Sequence, residues 1–369
     1  MINRFYVHNF RCLENFELPI RGQSSLLLIG KNGAGKTTVG LALEILQRIA
    51  RGTNRVNDLV KVKDFTRGYR GVPMRFEIEI ELDDMTYEYV VAFELPENFK
   101  ELRVLEEKLL VGGKPIYTRE LAQVHLAKTG TDKEASFLID WHSVALPIVQ
   151  EQSENDPLFI FKQWIARILI LRPIPSLILG DSNNEILQPN PQVTDFGAWF
   201  SGLLADTPSA YTAIYTYLKQ VMPDVKDIKN PVIGTDSRSL TVQFSNGQGS
   251  FTLPFGDLSD GEKCFMICAL VLATNKAYEK VLCFWDEPDN YLAMDEVGHF
   301  VLALRAAFLS GGQFIVTSHN PEAIRRFSEE NTLLLYRRNH LEPTLVRQLN
   351  ELQISGDIVN ALIRGDIEV

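Results

Sequence analysis

Cysteine is scarce: there are four in 369 residues, Cys12, Cys264, Cys268 and Cys283, and none forms a CxxC pair. That count and spacing exclude a disulfide-stapled secreted module and a zinc ribbon. Cys264 and Cys268 stand one helical turn apart, so a metal pair has to be weighed, but two core thiols on one helix face account for them better. The chain also lacks an apolar run long enough to span a bilayer. It has no internal repeat, no low-complexity tract and no sustained heptad pattern. Its opening, Met1-Ile2-Asn3-Arg4-Phe5-Tyr6, has the alternation of a strand and not the build of a signal peptide. These absences lead us to expect a cytoplasmic, reduced chain with no membrane partner. Positive charge is in deficit too. Lys and Arg number 37 against 47 Asp and Glu, a net charge of −10. The molecule as a whole repels nucleic acid, and any DNA contact needs a local patch.

What is present is an ordinary globular balance, 45% hydrophobic and 23% charged. One basic patch stands out between residues 48 and 75, where Arg48, Arg51, Arg55, Lys61, Lys63, Arg67, Arg70 and Arg75 face only Asp58 and Asp64. The segment from Glu77 to Glu107 is acidic in return. A DNA-binding stripe and a solvated face of mixed charge both fit this pattern.

The chain opens with a short antiparallel pair, Ile2–Asn9 and Glu14–Ile20, followed by an apolar strand, Ser24–Ile29. A glycine-rich turn leads into a helix over Lys36–Ala50, with Val39, Leu43, Leu46 and Ala50 on one face and Gly52 placed to end it. Residues 75–95 alternate apolar and polar about Asp83-Asp84, as a hairpin with one wet face does. Gly112-Gly113 marks another turn. Asp156-Pro157 and Thr207-Pro208 each start a helix, the second over Ser209–Met222. Residues 226–254 return to strands, with Asn246-Gly247 as a hairpin turn. From Ser259 the pattern is helix, strand, helix, strand, helix, and the strands Val281–Trp285 and Gln313–Thr317 are apolar throughout, as in a sheet covered on both faces. The expected fold class is α/β with an antiparallel β lobe and an inserted α/β subdomain. The expected domains are 1–95 (glycine-rich loop and β lobe), 96–250 (inserted subdomain) and 251–369 (the remainder of the core).

Gly30-Lys31-Asn32-Gly33-Ala34-Gly35-Lys36-Thr37 fits G-x-x-x-x-G-K-[ST] between an apolar strand and an amphipathic helix. Glycines let backbone N–H groups curl around phosphate oxygens, and the helix N-terminus adds a favourable dipole. Lys36 is expected to reach the β- and γ-phosphates and Thr37 to bind Mg²⁺, with Thr38 beside them. The apolar strand ending in Trp285-Asp286-Glu287-Pro288 supplies two acids. Asp286 suits the metal, and Glu287 suits polarisation of an attacking water. On their own these would be two surface acids after a buried strand; the glycine-rich loop gives them a role. Leu258-Ser259-Asp260-Gly261-Glu262-Lys263 precedes a helix for which Ser259 is a good N-cap. Phe314-Ile315-Val316-Thr317-Ser318-His319-Asn320 ends the next strand in a histidine.

These motifs carry a resemblance. Leu258–Lys263 looks like the signature of ABC-type ATPases in its Ser-Asp-Gly form, and with the loop and the acids this resemblance implies a P-loop NTPase of ABC-ATPase type, its P-loop in 1–95 and the rest of its ATPase core in 251–369. The resemblance implies that Ser259 and Gly261 contact ATP held by another subunit, and that His319 acts as the switch histidine sensing the γ-phosphate. The opening Val7-His8-Asn9-Phe10-Arg11, with Leu13-Glu14-Asn15, resembles the start of RecF and SMC-like ATPases, which makes Arg11 a candidate nucleotide contact. About 220 residues separate Thr37 from Leu258, a longer insertion than transporter ATPases carry. With no heptads, coiled-coil arms are excluded. The closest likeness is to the RecF-like predicted AAA ATPases, including the ATPase parts of OLD-family nucleases and of anti-phage systems. Where that group shows Glu-Asn-Gly-Leu-His-Pro after the acids, this chain has Asp289-Asn290-Tyr291-Leu292-Ala293-Met294. Only about fifty residues follow His319, too few for the Toprim nuclease of OLD proteins. For the glutamine linking nucleotide and metal to the lobe, Gln150 and Gln152 are candidates, and Gln152 is the one assigned to metal.

The expectation is an ATP- and Mg²⁺-dependent ATPase that dimerises head to tail, or assembles further, around ATP. It would control DNA or a separately encoded effector, in anti-phage defence or in DNA maintenance and repair. An ATP-gated scaffold that sequesters a toxin or nuclease with little turnover is the alternative, and a transporter ATPase subunit is a third reading.

Overall fold

The computed structural model describes residues 1–127 and 135–352. The chain divides into two compact units. The first comprises Met1–Gln23, Gly30–Ile168 and Leu333–Gln348; the second comprises Ser24–Ile29, Leu169–Thr332 and the stretch from Leu349.

The first unit is built on an eight-stranded antiparallel sheet. Its order is Phe16–Leu18, Ile2–His8, Met74–Leu82, Met85–Glu94, Arg103–Val111, Lys114–Glu120, Gln123–Leu126 and Ala135–Leu138. The alternation of Phe76, Ile78 and Ile80 with Arg75, Glu77 and Glu79 puts the first three fully inside and leaves the others half-buried. The turn at Asp83-Asp84 has both residues in the left-handed region (φ 49° and 61°), the twist a two-residue hairpin needs, and Leu82 pairs Met85. Gly112-Gly113 does the same between Val111 and Lys114.

The helix Lys36–Ala50 matches its expected span. Val39, Leu43 and Leu46 are buried as expected, and so are Ala42, Ile45 and Ile49, so the apolar face is wider than one stripe. The helix packs on Pro157–Ala166, which Asp156 caps by accepting from the Leu158 N–H at 2.8 Å. Gln47 donates to the Ile168 carbonyl in the buried seam, and Arg51 donates to the Ala166 carbonyl at 2.9 Å, satisfying a helix C-terminus that has no intrahelical donor left. A hairpin that the sequence pattern did not reveal, Thr332–Tyr336 with Leu345–Gln348, completes this unit.

In the second unit four strands run parallel in the order Leu169–Leu171, Leu282–Asp286, Gln313–Thr317 and Ser25–Ile29. Ser25–Ile29 and Gln313–Thr317 are buried along their whole length, as strands with both faces covered must be. The helices are Phe196–Asp206, Ala210–Val221, Asp260–Tyr278, Met294–Leu309 and Pro321–Arg326. The helix expected over Ser209–Met222 starts one residue later because Ser209 occupies the N-cap. Asn246-Gly247 lies in a four-residue loop instead of a tight turn. Ser245 pairs Ser250, and the Asn246 side chain accepts from the N–H groups of Gln248 and Gly249, offering the backbone a local partner. Cys264 and Cys268 are buried core thiols, and burial pushes Cys264 up to about 12.

The β lobe encloses one charged cluster. Glu107 is fully buried and accepts from Tyr89 Oη (3.0 Å), Tyr117 Oη (2.8 Å) and the N–H groups of Ala145 (2.7 Å) and Leu146 (2.8 Å), with Arg119 Nη1 at 3.7 Å. Burial pushes its carboxyl upward, and these donors oppose the shift. Replacing Glu107 by Ala strands Arg119 and two backbone donors. We expect a loss of about 3–5 kcal/mol in urea unfolding; a loss below about 1 kcal/mol would show that the cluster does not hold the lobe together.

Candidate functional site

The glycine-rich loop belongs to the first unit. Gly35 is the residue before the helix, at φ 105°, and Gly30 sits at φ 146° where a Cβ would overlap the Leu335 carbonyl oxygen. A Cβ on Gly35 would lie 2.7 Å from Thr344 Oγ1 and 3.0 Å from Cys12 Sγ. The late hairpin therefore forms one wall of the loop. Thr344 Oγ1 donates to the Ala34 carbonyl at 2.9 Å, and Arg337 Nη1 to the Gly33 carbonyl at 3.4 Å. Lys36, only 6% exposed, donates from Nζ to the Gly30 carbonyl at 2.8 Å. Lys31, Asn32, Gly33 and Thr37 are exposed, and Thr38 is half-buried with its hydroxyl 3.6 Å from Cys12 Sγ. A glycine-rich turn that opens a helix N-terminus, with a lysine folded beneath it, is suited to polyphosphate.

In the second unit, Asp286, Thr317 and Leu28 stand level at the carboxyl ends of adjacent parallel strands. Thr317, fully buried, is the tie. Its hydroxyl donates to Asp286 Oδ1 at 2.6 Å and accepts from the Glu287 N–H at 2.9 Å. Glu287 is in the left-handed region (φ 49°), which costs a non-glycine residue about 1–2 kcal/mol and needs such support. Its carboxylate accepts from Asn290 Nδ2 at 2.7 Å and lies 3.4 Å from His319 Nε2. Buried Asp289 accepts from Ser318 Oγ at 2.7 Å. Burial, together with the neighbouring Glu287 charge, pushes the Asp289 carboxyl up, and Asp289 Oδ1 has no partner. The acids and the histidine are thus joined rung by rung: Asp286 to Thr317, Glu287 to His319, Asp289 to Ser318.

Ser259 caps the helix Asp260–Tyr278 in a full capping box. Glu262 N–H donates to Ser259 Oγ at 3.3 Å, and Ser259 N–H donates to Glu262 Oε2 at 2.7 Å. Gly261 leaves room for the Tyr291 carbonyl, 3.0 Å from where a Cβ would stand. Buried Lys263 donates to the Pro175 carbonyl at 3.2 Å and fixes the start of the helix.

Arg11, in the first unit, pairs with Asp64 at 3.1 Å and adjoins the Cys12 that touches the loop wall. Gln150 and Gln152 lie exposed in the turn before Asp156, which accepts from the Gln152 N–H at 2.9 Å. Much of the basic stretch is committed within the chain. Arg55 pairs with Asp140, Arg67 with Glu14 and Arg75 with Glu77 and Glu106, and Arg51 is bonded to the Ala166 carbonyl. Among the described residues, Lys63 and Arg70 make no ion pair.

Among the described residues no group of three His, Cys, Asp or Glu could hold a metal by itself. The Thr37 hydroxyl, in the first unit, and the Asp286 carboxylate, in the second, are each an oxygen donor of the kind Mg²⁺ takes, and Mg²⁺ needs only one or two protein ligands, with the rest from phosphate and water. The sequence pattern did not single out Asn290, Thr317, Thr344 or Arg337 for a role. The first two had a local signal, standing three residues after Glu287 and two before His319. The others touch the loop from more than 300 residues away and left none.

Comparison with known proteins follows the same lines. The family model described as an AAA domain, putative AbiEii toxin, Type IV TA system, matches residues 25–325. Over 46 residues the chain is 44% identical to an OLD nuclease of Thermus scotoductus, a match that takes in 12% of this chain and 8% of the length of that relative. Among solved structures it resembles an SMC head bound to the C-winged helix domain of ScpA, with a TM-score of 0.55 and 12% identity, covering 95% of this chain and 99% of that one. It also resembles an SMC head with an extended coiled coil bound to the C-terminal domain of ScpA, derived from Pyrococcus furiosus. There the TM-score is 0.51 at 12% identity, over 95% and 97% of the two chains. The likeness establishes the fold class expected from the sequence, an SMC-head-like ABC-ATPase architecture. Among the described residues no helix is long and apolar enough to cross a membrane.

The two glycines of the loop make a clean comparison. Gly33, at φ 80°, has nothing within 4 Å of a Cβ, whereas Gly30 meets backbone. In thermal unfolding without nucleotide, Gly33→Ala should cost about 1 kcal/mol from φ strain alone, and Gly30→Ala at least twice that. Equal losses would contradict the hairpin wall.

Proposed function

We propose that this chain, which belongs to the AAA-domain family described as putative AbiEii toxin, Type IV TA system, is an ATP-hydrolysing switch that dimerises around nucleotide and passes its change of shape to an effector. Family membership supports ATP binding and hydrolysis as the general activity. The observation that carries the finer reading is the joined set Asp286, Thr317, Glu287 and His319, an acid pair braced against a histidine at the carboxyl ends of parallel strands.

In this reading the N–H groups of Gly30–Gly35 and the Lys36 ammonium hold the phosphates, with Lys31, Asn32, Ala34 and Thr38 lining them and Arg11 at their edge. Thr37, Asp286 and Gln152 would hold Mg²⁺, which supplies charge neutralisation on the phosphates. Glu287 takes the proton from a water whose oxygen attacks the γ-phosphorus. The bond to the β–γ bridging oxygen breaks, and ADP and phosphate leave. Ser259 and Gly261 open a capped helix N-terminus toward the γ-phosphate held by a second copy, and His319 reports its presence.

The domain limits expected from the sequence, 1–95, 96–250 and 251–369, enter this proposal as a β lobe and two core parts around an insertion; residues 353–369 of the last lie outside the described residues. The family description names a toxin, and the local match is to a nuclease. Both favour an output to a separately encoded effector in defence over one in DNA repair. DNA contact stays a subsidiary proposal, resting on the stretch 48–75, in which Arg48, Lys61, Lys63 and Arg70 make no ion pair among the described residues. The scaffold reading uses the same residues, and turnover rate alone separates it from the switch.

The test is the mass in solution with ATP and Mg²⁺, alongside phosphate release. Glu287→Gln should lose turnover by about 10²-fold or more and accumulate an ATP-dependent dimer or larger assembly, while Lys36→Ala should lose turnover and fail to assemble. A wild type that assembles with ATP yet turns over no faster than Glu287→Gln would favour the scaffold. A mass indifferent to ATP in every variant would contradict the switch.

A further inference from the structure

Among the described residues the Glu287 carboxylate has two side-chain partners, Asn290 Nδ2 on Oε2 at 2.7 Å and His319 Nε2 near Oε1 at 3.4 Å. They differ in how they are held. His319 follows the strand Gln313–Thr317 and is 43% exposed at its side chain. Asn290 stands in a turn pinned at three points. Its N–H approaches the Glu287 carbonyl at 3.4 Å, Asp289 is locked by Ser318 at 2.7 Å, and the Glu287 N–H is locked by the Thr317 hydroxyl at 2.9 Å. The turn cannot carry Asn290 away from Glu287 without breaking buried hydrogen bonds.

An amide donor on one carboxylate oxygen does two things. It fixes the plane of the carboxylate, and it leaves the other oxygen as the one that can take a proton. Here the oxygen left is Oε1, on the side of His319. A glutamate on the left-handed residue of a turn would otherwise be free to swing about three side-chain torsions, and a base that must meet one water gains from losing that freedom.

We propose that Asn290 is a positioning residue for hydrolysis, holding Glu287 Oε2 so that Oε1 is the oxygen presented to the attacking water. The proposal rests on the reading of Glu287 as general base. A residue that merely shaped the turn would alter stability and leave the chemistry of Glu287 alone, so the test reads that chemistry.

Steady-state ATP hydrolysis by the full chain would be followed for wild type, Asn290→Ala, Asn290→Asp and Glu287→Gln. Asn290→Ala is expected to lower kcat about tenfold or more with little change in KM. Asn290→Asp removes the donor and sets a like charge against Glu287 Oε2, and is expected to lower kcat at least as far, again with little change in KM. The Asp variant is nearly the size of the native residue and keeps the test open if the Ala variant does not fold. If Glu287→Gln is inactive but both Asn290 variants keep the wild-type kcat and KM, the positioning role is overturned and the general base survives. If Glu287→Gln retains turnover, the general-base reading falls and this proposal falls with it.

Discussion

Three parallel strands that end level govern the rest of the second unit. Pairing in register sets Asp286 beside Thr317 and Thr317 beside Leu28. A parallel sheet turns all its carboxyl ends to one edge, and the groups that follow each strand are delivered there together. The edge then has to bury polar backbone. Thr317 and Ser318 meet that need by giving their hydroxyls to Asp286 and Asp289, and the Ser318 N–H goes to the Leu28 carbonyl at 3.3 Å. The same bonds that satisfy the strand ends hold the acids in place. Structural economy and chemical preparation cannot be separated at these residues, and a substitution made to probe one will disturb the other.

The glycine-rich loop solves a different problem. Its backbone must leave N–H groups unpaired for an anion, so its shape has to be held by bonds to carbonyls. Lys36, Arg337 and Thr344 donate to the carbonyls of Gly30, Gly33 and Ala34 respectively, and the glycines accept a hairpin close enough to exclude any side chain at Gly30. Donors directed at the carbonyls hold the shape of the loop from its other side.

Local chemistry was legible in the sequence to the extent that neighbours in sequence create it. The helix Lys36–Ala50, the left-handed pair Asp83-Asp84, the Asp156 cap and the Ser259 capping box each follow from residues within four positions of one another. The Asn246 loop was misjudged in length because its own side chain offers the backbone an alternative to a tight turn. The hairpin at 332–348 was missed because its short strands give a weak period, and its function depends on residues 30–35 far away in the chain. The basic stretch shows the converse failure. Its charge is plain in the sequence, but its partners, Glu14, Asp140 and Glu106, become visible only once the strands are assembled. Long-range pairing is what composition cannot report.

The central claim is that Ser259 serves the nucleotide of a second copy, and mixing two defective chains tests it most directly. Lys36→Ala disables the loop and Ser259→Arg disables the capped helix, and each alone should hydrolyse almost no ATP. Random pairing of equal amounts should rebuild one complete site in half of the dimers, restoring about a quarter of the wild-type turnover. Activity that stays at the level of the separate variants, although both fold and exchange partners, would contradict a site shared between two copies.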